Sequence, residues 1–111
     1  MSFTVRITSA AWRDLLEIYD WIAEHDSPEK AGYVLDRLNE AAESVAALPH
    51  RGTRVKELPP GTEVEYRQVF FKPYRVVYEI MHNEVVIHLI ADGRRNLRSL
   101  LLCRLTDEQN K

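Results

Sequence analysis

The chain has 111 residues, of which 45% are hydrophobic and 29% are charged, which excludes extensive disorder and fits one globular domain over residues 1–111. No apolar run approaches the roughly 20 residues that cross a bilayer, and the N-terminus lacks a signal-peptide pattern, so we expect a cytoplasmic protein with no membrane partner. The single cysteine, Cys103, excludes an internal disulfide.

Charge is distributed unevenly along the chain. Residues 1–50 carry four basic and nine acidic side chains, a net charge of −5, whereas residues 51–111 carry eleven basic and eight acidic side chains, a net charge of +3. The two halves are therefore expected to face different partners. The four histidines are scattered and there is no second cysteine, so we expect neither a metal site nor a cofactor.

The first half of the chain predicts a strand followed by a helix hairpin. Residues 3–7 alternate between apolar and polar side chains, which indicates a strand with one buried face. Thr8 or Ser9 can cap a first helix, and Ser27-Pro28 is a start signal for a second helix that should end before Pro49. The apolar stripes recur at spacings of three and four: Trp12, Leu15, Leu16, Tyr19, Ile22 and Ala23, then Ala31, Val34, Leu35, Leu38, Ala42 and Val45.

The second half predicts an antiparallel β-meander and a terminal helix. β-Branched and aromatic residues indicate strands near residues 63–71, 74–82 and 85–91. A short α-helix should follow, because Leu97 and the leucines after it recur at helical spacings. We therefore predict an α+β fold: a β-strand, a helix hairpin, an antiparallel β-meander and a short C-terminal helix, with one helical layer on one sheet.

A two-residue turn at Asn83-Glu84 would determine the register of the last two strands. It places Glu79 opposite His88 and Arg75 opposite Asp92 on a face that should be at least partly open. The other face is apolar and is expected to receive the helix hairpin; its predicted pairs are Ile80 with Ile87, Tyr78 with Leu89, and Val76 with Ala91.

Four short motifs are distributed along the chain: Ala11-x-x-Asp14-Leu15-x-x-Ile18 with Trp21-Ile22, Glu57-Leu58-Pro59-Pro60-Gly61, Tyr74-Arg75-Val76-Val77-Tyr78, and Ile90-Ala91-Asp92-Gly93-Arg94-Arg95. In this order and spacing they resemble the ParE/RelE superfamily of type II toxin–antitoxin toxins over nearly the whole chain. The resemblance implies the RelE/ParE-like fold and a cognate DNA-binding antitoxin encoded adjacently. It leaves open a homodimer or a heterotetramer with that antitoxin.

The resemblance implies one of two activities. RelE-type members cleave mRNA on the ribosome with basic residues and, commonly, a tyrosine near the start of the last helix, whereas ParE-type members lack that set and poison DNA gyrase. The position of the tyrosine falls near Leu101 in this sequence. We therefore expect a ParE-like gyrase inhibitor without catalytic residues, whose target-binding residues are Arg94, Arg95 and Arg98.

A ribosome-dependent mRNA endoribonuclease is the alternative. Arg67, Arg75 and Arg95 match basic positions of the family and would bind phosphate, and Glu79 or His88 would act as the base. The structural interpretation of Glu79 and His88 is a cross-strand ion pair.

The terminal helix and one tryptophan are the predicted antitoxin contacts. The helix carries more leucines than one face can bury, and arginines surround them, so an acidic amphipathic segment of the antitoxin should cover it. The residues predicted for this contact are Leu97, Leu101 and Arg104. Trp21 is added because it lies off the apolar stripe of the first helix, whereas Trp12 lies on the stripe and is predicted to be core.

Overall fold

The computed structural model describes residues 3–58 and 64–109 and confirms the predicted α+β architecture. The elements in chain order are β1 (Thr4–Ile7), α1 (Ser9–His25), α2 (Pro28–Ala47), a 3₁₀ turn (Pro49–Arg51), β2 (Thr53–Arg54), β3 (Tyr66–Phe71), β4 (Tyr74–Met81), β5 (Glu84–Asp92) and α3 (Leu97–Gln109). Glu63, the predicted start of the third strand, lies outside the described residues. None of the described helices is long and apolar enough to cross a membrane.

The helix hairpin forms where its capping residues predict it. The Thr8 hydroxyl accepts a hydrogen bond from the backbone N–H three residues later at 3.1 Å, and the Ser27 hydroxyl does the same at 3.0 Å. Pro28 occupies the first turn of α2, where an N–H group would have no helical partner. The second helix ends at Ala47, before Pro49, as predicted.

The five strands form one sheet in the order β1-β5-β4-β3-β2. The first strand pairs with β5 in parallel, and the other neighbours are antiparallel. The alternating pattern of residues 3–7 predicted β1 but not its partner, because the parallel neighbour is separated from it by the hairpin and most of the meander. The pairing covers only the first four residues of β5, from Glu84 to Ile87.

The turn between β4 and β5 lies one residue earlier than predicted. Met81 pairs with Glu84, so the turn residues are His82 and Asn83. His82 has a φ angle of 55°, the left-handed conformation that tight hairpin turns require. From Met81 back to Tyr78, each residue of β4 pairs with a residue of β5 that lies two positions before the predicted partner. A displacement of two residues leaves every side chain on its predicted face.

A β-bulge in β5 changes which side chains face the hairpin. Ile87 and Leu89 pair with consecutive residues of β4, so His88 is an extra residue between them. Ile90 therefore joins the apolar cluster under the helices, while Leu89 and Ala91 join the cluster on the opposite face. The faces predicted for these three residues were wrong, because one extra residue inverts the alternation of everything after it.

Part of the second face of the sheet is covered by α3. An apolar cluster on this face contains Val55, Val77, Leu89, Ala91, Leu97 and Leu101. Glu79 and His88, on the same face, are also buried. The predicted single helical layer was therefore wrong, because the hairpin packs on one face and α3 on the other. The prediction of a partly open second face is confirmed, since Phe70 and Met81 on that face are 51% and 39% exposed.

The buried stripe of α1 is narrower than predicted. Ala11, Leu15 and Ile22 are buried, but Trp12 is 48% exposed and Leu16 is 42% exposed. The prediction that Trp12 belongs to the core was wrong. Its position in the helical repeat lies at the margin of the stripe, where the hairpin leaves room for solvent.

Candidate functional site

Glu79 and His88 form a buried pair on the second face. Glu79 Oε1 lies 2.7 Å from His88 Nε2, and the Tyr66 ring packs edge-on against the imidazole. The prediction that the two side chains meet is confirmed, although the β-bulge brings them together and Glu79 pairs with Val86 in the ladder. They could exchange a proton, but each residue is only 8% exposed, so a substrate would have little direct access to either side chain.

Arg67 and Arg75 are engaged within the protein. Arg67 Nη1 donates to the Gly52 carbonyl at 2.6 Å, and Arg75 Nη1 donates to Glu57 Oε2 at 2.9 Å. The predicted pair of Arg75 with Asp92 was wrong, because the bulge displaces the register by one residue at this point. The two guanidinium groups hold the segments around Gly52 and Glu57 against the sheet.

A salt bridge joins α1 to α3 across the edge of β5. Arg104 Nη1 and Nη2 each donate to one carboxylate oxygen of Asp14 at 2.8 Å, a bidentate arrangement that is strong and directional. Arg104 also donates to the His88 carbonyl at 2.7 Å, and Asp14 accepts from the Ile90 N–H at 3.0 Å. Beyond the end of β1, the two side chains thus provide hydrogen-bond partners for backbone groups of β5. Arg104 also holds α3 in place.

The leucines predicted for antitoxin binding lie inside the protein. Leu97 is 3% exposed and Leu101 is 0% exposed, so the expectation that they form an exposed strip was wrong. Leu102, at 48%, is the exposed large leucine of α3 among the described side chains. The cause is the bulge in β5, which turns two more apolar side chains toward α3 and so enlarges the cluster that the helix covers.

Three exposed arginines lie on the connection from β5 to α3 and on the first turn of that helix. We call Arg94, Arg95 and Arg98 the arginine surface. Arg94 binds both carboxylate oxygens of Asp92, at 2.9 and 2.6 Å, and this hydrogen bonding lowers the pKa of Asp92. Within the described residues, Arg95 and Arg98 form no ion pair. Their charges are therefore available to a partner.

A groove runs between α1 and the end of the sheet that carries the β3–β4 turn. It comprises two adjoining cavities of about 440 and 320 Å³, which share Trp21 and Tyr74. Trp21 is 60% exposed, and its ring stacks on His25 with the ring centroids 4.3 Å apart. We call this feature the Trp21 groove, and an exposed tryptophan beside a groove is typical of a contact surface.

Tyr74 stands between the two cavities. Burial and, secondarily, the negative charge of Asp92 raise its pKa, and Arg94 opposes that effect. The phenol is therefore neutral at physiological pH, so it can both donate and accept a hydrogen bond in the groove.

The roles of Asp14 and Glu57 were not predicted from the sequence. Both belong to the motifs that carry the family resemblance, which was the available signal. Their partners lie far away in the chain, since Asp14 is 90 residues from Arg104. Within the residues that the structure describes, no group of three or more histidine, cysteine or acidic side chains could hold a metal ion.

Two of three solved structures that match this fold come from toxin–antitoxin systems, and the third is the toxin RelE. The chromosomal ParDE system of P. aeruginosa matches with a TM-score of 0.69 and 22% identity, over 82% of this chain and 96% of that chain. The RelBE2 toxin–antitoxin complex of Mycobacterium tuberculosis matches with a TM-score of 0.59 and 24% identity, over 83% of this chain and 92% of that chain. A mutant of E. coli RelE in the free state matches with a TM-score of 0.55 and 13% identity, over 89% of this chain and 92% of that chain. The fold is that of ParE and RelE toxins.

Sequence comparison identifies the family. The model of the ParE toxin of type II toxin–antitoxin systems, parDE, matches residues 5–97. Toxin ParE3 of Caulobacter vibrioides is 31% identical over 88 residues, which are 79% of this chain and 84% of ParE3. The chain therefore belongs to the ParE toxin family of type II toxin–antitoxin systems, and the resemblance predicted from its motifs is confirmed.

Proposed function

We propose that this toxin inhibits DNA gyrase by binding it and that it catalyses no reaction of its own. Membership of the ParE family supports this proposal. The observation that carries it is the burial of Glu79 and His88, the acid–base candidates, on the second face. RNA cleavage requires a base that reaches the 2′-hydroxyl and an acid that reaches the leaving oxygen, and side chains this deeply buried are poorly placed for both.

The arginine surface is the proposed toxic surface. Arg95 and Arg98 carry exposed charges without ion pairs in the described part of the chain, and Arg94 lies beside them. Exposed cations accelerate association with an acidic partner and orient it, and a gyrase–DNA complex is such a partner. The arginine surface is independent of the buried pair, so the two can be altered separately.

A cognate antitoxin is the second proposed partner. The ParDE and RelBE2 structures that match this fold come from toxin–antitoxin systems. Neutralisation would follow if the antitoxin covers the surface that contacts the target or holds the toxin away from it.

Ribosome-dependent mRNA cleavage is the second candidate function, and the distance of 2.7 Å between Glu79 and His88 favours it. Arg67 and Arg75 are also engaged near this face. The reaction would require both side chains to become more exposed, since each residue is only 8% exposed. We therefore rank this function below gyrase inhibition.

Two assays with purified components distinguish the two candidate functions. The toxin is incubated with gyrase and supercoiled plasmid, and separately with ribosomes translating a defined mRNA. We expect covalent gyrase–DNA complexes to accumulate and the mRNA to stay intact. Cleavage of mRNA without gyrase inhibition would overturn the proposal in favour of the nuclease.

Variants assign each activity to its surface. Arg95→Glu with Arg98→Glu should reduce gyrase inhibition by about tenfold or more, as the loss of central interface charges does. Lys56→Glu, an exposed charge reversal elsewhere, is the matched control and should change it little. Glu79→Gln should leave inhibition within about twofold, whereas loss of an acid–base group from a nuclease costs roughly 10²-fold or more.

A further inference from the structure

Exposed charge divides the protein into two parts. In residues 3–49, which contain β1 and the helix hairpin, eight exposed residues are acidic and three are basic. In residues 50–58 and 64–105, seven exposed residues are basic and one, Glu65, is acidic. A partner with a dense negative charge is therefore attracted to the second part and repelled by the hairpin, which selects the side that it approaches.

Gly93 brings four of these seven exposed cations to one corner of the sheet. Its N–H donates to the Pro73 carbonyl at 2.7 Å, which joins the β3–β4 turn that carries Lys72 to the segment that carries the arginine surface. A Cβ atom on Gly93 would lie only 3.2 Å from the same carbonyl oxygen, so the absence of a side chain permits this close approach. We call Lys72 and the arginine surface together the basic corner.

The basic corner presents hydrogen-bond donors and lacks an apolar anchor in its arginine segment. Within residues 94–99 the apolar side chain, Leu97, is buried, and the exposed residues are Arg94, Arg95, Asn96, Arg98 and Ser99. The core of a protein–protein interface is depleted of charged residues, whereas arginine, lysine, asparagine and serine are side chains that contact DNA phosphates. The chemistry of the corner therefore fits a phosphate backbone better than a protein surface.

The charges of the basic corner are available to a partner and are held on an ordered backbone. Three of its four cations form no ion pair within the described residues, and the fourth, Arg94, neutralises Asp92 beside them. The Arg95 N–H donates to the Asp92 carbonyl at 3.1 Å, and the Asn96 side chain caps α3 by accepting from the Ser99 N–H at 3.2 Å. Fixed backbone positions reduce the conformational entropy that binding would cost.

We propose that the basic corner binds the phosphate backbone of duplex DNA, so that the toxin contacts the DNA segment that gyrase holds as well as the enzyme. This inference rests on the proposed gyrase inhibition and adds the chemical class that the arginine surface contacts. Contacts with phosphates carry no sequence information, so a toxin that acts in this way inhibits gyrase wherever the enzyme has engaged DNA. The acidic hairpin faces away from the DNA, because like charges repel.

The first test measures the binding of the full-length toxin to a fluorescently labelled duplex by anisotropy over a range of salt concentrations. Three available cations predict a slope of roughly −3 for the logarithm of affinity against that of salt concentration, since each phosphate contact contributes about −0.9. Two duplexes of unrelated sequence should bind with affinities within about twofold of each other. Absence of salt-dependent binding to either duplex would overturn the inference.

A pair of double variants assigns this binding to the basic corner. Arg95→Gln with Arg98→Gln should reduce the magnitude of the slope by about 2, because two phosphate contacts are lost. Arg51→Gln with Lys56→Gln is the matched control: it removes the same net charge from exposed residues outside the corner and should change the slope by less than about 0.5. Thermal unfolding checks the fold of both proteins. Equal changes of slope in the two double variants would contradict the inference.

The second test compares gyrase alone with gyrase that is loaded with duplex DNA. Labelled wild-type toxin should bind the loaded enzyme about tenfold more tightly, and Arg95→Gln with Arg98→Gln should bind the two forms within about twofold of each other. Equal affinity of the wild-type toxin for both forms would overturn the inference and leave gyrase inhibition standing. Failure of the wild-type toxin to inhibit gyrase would instead overturn the proposed function.

A competition experiment distinguishes duplex DNA from RNA as the occupant. At equal nucleotide concentration, unlabelled single-stranded RNA should displace the labelled duplex no better than unlabelled duplex does, because the duplex has the higher charge density. Displacement by RNA that is about tenfold more effective would show that the basic corner binds RNA, and the inference would be wrong.

Discussion

The two faces of the sheet are covered in different ways. On the first face, α1 and α2 bury a continuous apolar cluster that includes Leu15, Leu38, Val76 and Ile87. On the second face, one helix covers a smaller apolar cluster, and three polar residues are buried as well: Gln68, Glu79 and His88. The hairpin packs through apolar stripes, whereas α3 also depends on hydrogen bonds and a salt bridge.

The two faces therefore differ in the kind of interaction that stabilises them. Burial of apolar surface is non-directional and tolerates small displacements, so the hairpin face can serve as a rigid base. The second face contains polar groups whose contribution depends on correct geometry, because a buried polar atom without its partner is costly. The hairpin side should therefore respond to the volume of its side chains, and the α3 side to the removal of single hydrogen-bonding groups.

The largest expected effect comes from one leucine on each face. Leu38→Ala should lower the free energy of unfolding by about 2 to 5 kcal/mol, because it leaves a cavity in the hairpin core. Leu101→Ala should fall at the lower end of that range, since α3 is terminal and can adjust around the space. Urea denaturation measures both, and a larger loss for Leu101 would show that the second face is the more stable unit.

The next effect comes from the salt bridge between α1 and α3. Asp14→Ala leaves the Arg104 charge and the Ile90 N–H without the carboxylate, and the side chains of the pair are only 14% and 18% exposed. We expect a loss of about 2 to 3 kcal/mol, somewhat below the figure for a fully buried pair. Arg6→Ala is the control, because its pair with Glu84 is exposed and should contribute less than about 1 kcal/mol. Equal losses would contradict this difference between the pairs.

A smaller effect, with its own pH dependence, comes from Tyr78 on the hairpin face. Its hydroxyl donates to the Pro49 carbonyl at 2.6 Å and accepts from the Gly52 N–H at 3.1 Å. Tyr78→Phe should cost about 1 to 2 kcal/mol at pH 8, since both groups lose a buried partner. Chemical denaturation at fixed pH values measures the loss.

Burial raises the pKa of Tyr78 above its ordinary value of 10.0, so folding favours the neutral phenol. The corresponding stability is complete below pH 10 and is lost as the pH rises through the folded-state pKa. The wild-type protein should therefore lose stability above about pH 10 more steeply than Tyr78→Phe. Equal losses of stability with pH in the two proteins would exclude this role of Tyr78. Some loss should persist in Tyr78→Phe, because the pKa of Tyr74 is also raised.

The smallest effect is expected at Leu102, next to Leu101 but exposed on α3. Leu102→Ser should change the free energy of unfolding by no more than about 0.5 kcal/mol, as exposed substitutions do. Thermal unfolding beside Leu101→Ala makes the comparison within one helix. A loss of more than about 1 kcal/mol would mean that Leu102 contributes to the packing of the second face.

The extent to which the site could be predicted differs between residues. The contact of Glu79 with His88 was predicted from a register that is wrong: the turn begins earlier and the bulge adds one residue, and the two displacements nearly cancel. The pair of Arg75 with Asp92 was not, since no feature of residues 85–91 indicates a bulge. The exposure of Trp21 followed from its position in the helical repeat, but the groove beside it depends on the distant segment that includes Tyr74.

The sequence by itself determined the helices, their caps, the approximate strands and the family, because periodicity, capping and turn preferences act over a few residues and motifs are read in order. Only the tertiary structure decided the partner of β1, the bulge at His88, the burial of Leu97 and Leu101, and the salt bridge of Asp14 with Arg104. Each of these joins segments far apart in the chain or depends on one inserted residue. Local sequence preferences hardly distinguish the alternative pairings and registers, so the packing of the whole domain determines which one forms.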